Sequence, residues 1–99
     1  MEIFSCKKNA TAWCILRNNG KSDDAILLRH HDSKIFFLQT SIIMNERAYE
    51  LAEDDEYRNI IEAKISNDYQ KLNYSKKQVD KFINLAKYFQ RRGFEYEAF

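Results

Sequence analysis

The chain has 99 residues, 44% of them hydrophobic and 14% aromatic, with two glycines and no proline. That is enough apolar surface for one packed core and too short a chain for two, so residues 1–99 read as a single folded domain and a disordered chain is excluded. Sixteen Lys and Arg against fifteen Asp and Glu leave a formal net charge of +1, which excludes the strong bulk field of a general nucleic-acid or membrane binder.

Residues 3–6, 12–17, 25–30 and 34–39 are short runs rich in apolar, β-branched and aromatic side chains, and read as strands. The polar piece 18–24 contains Asn19-Gly20, and residues 31–34 are short enough to close a hairpin, so both read as turns. The expectation over residues 1–40 is an antiparallel meander of three or four strands. In its last two strands Ile26, Leu28, Ile35 and Phe37 share one face, and Leu27, Phe36 and Leu38 the other, which predicts central strands covered on both sides.

Beyond Thr40 the hydrophobic period changes from two to 3.6. Asn45 is placed to cap a short helix holding Ala48, Tyr49, Leu51 and Ala52, and the acidic residues 53–56 suit the positive end of the next one. Tyr57, Ile60, Ile61, Ile65, Tyr69 and Leu72 recur at spacings of one, three and four, which leaves open whether 45–72 is one helix or two. Ser75 with Gln78 has the form of a capping box, Val79, Phe82, Ile83, Ala86 and Phe89 form the following stripe, and Gly93 is placed to end it with Phe94 folded back. The predicted class is therefore α+β, a sheet over 1–40 followed by two or three helices over 45–92.

Cys6 and Cys14 are too few for a secreted disulfide framework and read as free thiols, although a hairpin centred on Ala10 would set them opposite each other. No apolar run approaches the roughly 18 residues of a membrane span. The expectation is a cytoplasmic protein without a membrane partner.

His30-His31-Asp32 supplies residue types that ligate metals or act as base and orienter, but it falls in a predicted turn with no second ligating element, and reads as a solvated turn. A small metal-dependent hydrolase using these three residues is the least favoured reading. Glu62 and Lys64, with Asp23 or Asp24, resemble a nuclease set only superficially, because a helix points the first two apart. No nucleophile elbow, glycine-rich loop or basic activator of a thiol is apparent, so no catalytic residue, metal or cofactor is assigned.

Charge is polarised along the chain. Residues 45–62 hold seven acidic side chains against Arg47 and Arg58, a net −5, while residues 71–92 hold seven basic ones against Asp80, a net +6. Lys77, Lys81 and Arg92 fall opposite the apolar stripe of the last helix, near Tyr74, Tyr88, Arg91 and Phe94. Aromatic and arginine side chains dominate protein contacts. We therefore expect a non-catalytic binding protein of inhibitor, immunity or adaptor kind, of phage or mobile-element type, whose partner-binding residues are Lys77, Lys81, Tyr88, Arg91, Arg92 and Phe94. Nucleic acid is the alternative partner, and the acidic helix is a candidate intramolecular one.

The segment Leu85-Ala86-Lys87-Tyr88-Phe89-Gln90-Arg91-Arg92-Gly93-Phe94-Glu95-Tyr96-Glu97-Ala98-Phe99 resembles the end-of-helix signature of the RecX family of recombination regulators. That resemblance covers about fifteen residues and implies regulation of a recombinase filament by protein contact, in a fold of three-helix units.

Overall fold

Helix α1 spans Ala10–Asn18, α2 spans Ser22–Leu51 and α3 spans Asp55–Arg91 in the computed structural model, which describes residues 9–92. The described residues contain no strand. The α+β expectation is thus overturned: residues 12–17 belong to α1, residues 25–30 and 34–39 both lie within α2, and residues 3–6 fall outside the described residues.

The physical reason lies in what is missing between the elements. A meander needs a turn every few residues, and between Gly20 and Gly93 there is neither glycine nor proline to make one. The β-branched and aromatic residues of 25–39 cost a helix only a few tenths of a kcal/mol each, roughly, which tertiary packing overrides. Asn19-Gly20 does form a turn, but between helices. Gly20 has φ +78°, its N–H donates to the Arg17 carbonyl at 3.3 Å, and the Lys21 N–H donates to the Leu16 carbonyl at 2.8 Å. These are the paired bonds of a Schellman cap, with glycine in the left-handed position.

The second break is residues 52–54. Ala52 leaves the helix at ψ 138°, and the Asp54 carboxylate accepts from the Glu56 N–H at 3.1 Å to cap α3. Arg58 closes the turn by donating from Nε and Nη2 to the Ala52 carbonyl at 3.1 and 2.7 Å. The α3 start predicted at Ser75 is not there: Ser75 sits inside α3 with no exposed surface.

So short a turn makes α2 and α3 antiparallel, and their contact is a heptad seam. On α3, Ile61, Asp68, Ser75 and Phe82 are seven apart and buried, interleaved with Leu72, Val79 and Ala86. On α2, Leu28 and Ile42 are buried and Ile35 half-buried between them, with His31, Leu38 and Asn45 on the interleaved row. A strict seven-residue repeat winds such helices left-handedly about each other. Two polar links cross the interior of the seam, and Tyr69 Oη donates to Glu46 Oε2 at 3.5 Å on its exposed flank. His31 Nδ1 and Ser75 Oγ share a hydrogen bond of 3.1 Å, and Ser41 Oγ donates to Asp68 Oδ2 at 2.8 Å while accepting from Asn45 Nδ2 at 3.2 Å. A slip by one heptad breaks both, so these links fix the register.

At the open end of the hairpin α1 folds back across both helices. Ala12, Ile15 and Leu16 pack with Ala25 and Leu28 of α2 and with Val79, Phe82 and Ala86 of α3. The result is a rod of 58 × 21 × 17 Å, three helices thick at one end and two at the other.

Candidate functional site

His30, His31 and Asp32 are not a solvated turn. They lie in the middle of α2, with His31 9% and Asp32 2% exposed while His30 faces solvent. The helix sends each in a different direction. His31 turns to Ser75 and lies edge-on to Tyr74, 5.9 Å between ring centroids. Asp32 turns to α1, where Asn9 Nδ2 donates to its Oδ1 at 2.8 Å. The indole of Trp13 also approaches this carboxylate and favours its charged form, yet Trp13 Nε1 and Asp32 Oδ2 each lack a hydrogen-bond partner of good geometry.

Burial holds His31 below its ordinary 6.5, helped by the nearby His30 and Lys34. Burial likewise raises Asp32 above its ordinary 3.8, against the opposing pull of Asn9 and Trp13. A serine hydroxyl bonded to an imidazole has the outline of a nucleophile and its base. Here Ser75 has no exposed surface for a substrate to reach, so the pair's role is to satisfy two polar groups inside the seam. Among the described residues no group of three or more potential metal ligands comes together. Nor does a hairpin form about Ala10: Cys14 is a free thiol on α1, with Arg17 Nη2 donating to its Sγ at 3.6 Å, and Cys6 lies outside the described residues. That i, i+3 contact is hidden in the sequence because residues 12–17 read as a strand.

Of the predicted partner-binding residues, Lys77, Lys81, Tyr88, Arg91 and Arg92 are all exposed on or just beyond the last turns of α3. Tyr74, outside that set, joins Lys77, Lys81, Tyr88 and Arg91 at spacings of three, four, seven and three, which places these five on one side of the helix. Tyr74 and Tyr88 keep 58 and 45% of their surface, and the Arg92 guanidinium lies 5.4 Å from the Tyr88 ring centroid. Lys77 to Arg91 covers about 21 Å of helix. Phe94 falls outside the described residues. Among the described residues no ion pair joins this basic face to the acidic stretch 45–62; the two lie toward opposite ends of the rod, and Arg58 instead pairs with Asp55 at 3.7 Å. The intramolecular pairing expected from the sequence is therefore absent there. No helix of the described residues is long and apolar enough to cross a membrane.

No protein-family model matches the chain, and no curated protein or solved structure matches it either.

Proposed function

We propose that this protein is a non-catalytic binding protein, acting through contact between the outer face of α3 and an acidic surface on another protein. The observation that carries the reading is the alignment of two tyrosines with Lys77, Lys81 and Arg91 on one exposed side of a rigid helix. Tyrosine and arginine side chains bury large area at small entropic cost and supply most hot spots. Among the described residues no acidic side chain pairs with them, which supports a role in steering an acidic partner. The resemblance at residues 85–99 points to the same mode of action, regulation by protein contact.

Affinity capture from the native host with the intact chain tests this. A partner protein retained by wild type is expected to be lost with Tyr88→Ala or Arg91→Ala, each costing about 2 kcal/mol or more. Titration with DNA and RNA over a range of salt is the counter-test, since phosphate contacts give a slope of about −0.9 per contact on duplex DNA. Sub-micromolar nucleic-acid binding abolished by Lys77→Gln, Lys81→Gln and Arg92→Gln together would replace the protein reading with the nucleic-acid one.

A further inference from the structure

The side of α2 turned away from α3 carries a second seam. Positions 26, 30, 33, 37, 40, 44, 47 and 51 alternate in steps of four and three, and all eight are exposed. Ile26, Phe37, Met44 and Leu51 on this stripe are 63, 67, 66 and 68% exposed, and Leu27 and Ile43 beside it are 44 and 66% exposed. A row of large apolar groups between three and four heptads long is what a coiled-coil seam looks like before its partner arrives.

We propose that a second copy of this chain covers this seam, α2 packing antiparallel on α2 about a two-fold axis between residues 38 and 39. Charge chooses both partner and direction. In this register Arg29 meets Glu50 of the second copy, and symmetry repeats the pair, while Phe36 lies on Ile43. A parallel pairing would set Arg29 against Lys34 instead, and like charges at flanking positions oppose it. Size agrees with charge: in the antiparallel register Phe37 faces Thr40 of the second copy and Met44 faces Ser33, so these bulky groups meet smaller ones rather than themselves, while Leu51 faces the equally large Ile26. The one charged layer, His30 against Arg47, is the kind of polar position that selects a register. The face of α3 stays open, so this inference stands apart from the reading of that face.

Sedimentation equilibrium of the whole chain over a concentration series tests the proposal. A dimer at micromolar concentration is expected, and Phe37→Glu with Met44→Glu should give a monomer of unchanged helicity by circular dichroism. Glu50→Arg should weaken the dimer by about tenfold, and adding Arg29→Glu should restore it to within about threefold. Because Arg29 also lies 4.9 Å from the Trp13 ring centroid, the comparison rests on Glu50→Arg against the double swap. If the Phe37 and Met44 changes unfold the chain, that comparison still decides. A chain monomeric at about 100 μM, a dimer indifferent to both sets of changes, or a double swap no tighter than Glu50→Arg would each overturn it.

Discussion

Ser75 and His31 show how one residue's surroundings decide its role. Ser75 reads in sequence as a helix cap, where its loss would cost about 1 kcal/mol of local stability. Buried against His31, it has a larger effect: Ser75→Ala leaves an imidazole nitrogen unpaired in the seam, and a cost of about 1–3 kcal/mol is expected from urea midpoints. Replacing both, as His31→Leu with Ser75→Ala, should recover much of that cost, because no polar group is then stranded. His31 also sets a pH dependence. Its folded pKa lies below 6.5, so between that value and 6.5 the unfolded chain binds more protons. The stability it contributes is complete above pH 6.5 and is lost as pH falls through the folded value. Asp32 acts in the opposite sense: its raised pKa makes its contribution complete below 3.8 and lost as pH rises through the folded value. The difference in unfolding free energy between wild type and His31→Gln should therefore change on acidification below pH 6.5, in the sense that wild type loses more. A difference independent of pH would mean that His31 carries no such proton linkage.

At the scale of elements, α2 explains both what the sequence disclosed and what it hid. Leu28, Ile35 and Phe37 read as sharing one face of two adjacent strands because each looks correct at period two. On a helix they separate: Leu28 and Ile35 join Ile42 in the seam with α3, and Phe37 joins Met44 and Leu51 on the outer stripe. Two heptad rows on opposite sides of one helix remove the one-sided period by which a helix is recognised. α3 is easier to read because its second face is charged. The absence of glycine and proline from residues 22–92 is the remaining clue, visible in the sequence and pointing against any meander. The basic and aromatic face of α3 can be read from spacing alone, whereas the contacts of Asn9 and Trp13 with Asp32 depend on α1 crossing α2, which no local pattern encodes. The two rows have a measurable consequence in the monomer. Leu28→Ala, inside the three-helix core, should cost about 2–5 kcal/mol, while Phe37→Ala should stay within about 0.5 kcal/mol. At the turn, Asp54→Ala should cost about 1 kcal/mol, since Asp54 is the side chain that caps α3.

The molecule as a whole is a rod whose two ends are built differently. Its Cα radius of gyration of 17.4 Å far exceeds the roughly 13 Å of a compact chain of this length. At the open end each helix is packed by two others, and eight buried residues form one cluster there. Toward the turn only α2 and α3 remain, and Ile42, Ala52, Ile61 and Leu72 are the buried apolar groups that hold them together. The free energy of a local opening rises with the apolar surface it exposes to water, so the turn end should open without the open end, but not the reverse. Amide hydrogen exchange makes the contrast measurable in the Phe37→Glu, Met44→Glu chain, where no second copy shields the turn end. Amides of residues 12–16, 28–32 and 75–86 should exchange only through global unfolding, with protection that falls with urea in step with stability. Amides of residues 42–65 should exchange faster and with a weaker dependence on urea, because their opening exposes less surface. Equal protection at both ends would mean that the polar links at Ser41, Asn45 and Asp68 couple the turn end to the core as firmly as apolar packing does. In the wild-type chain the same amides should gain protection as concentration rises, the change expected when the exposed row of α2 finds its counterpart.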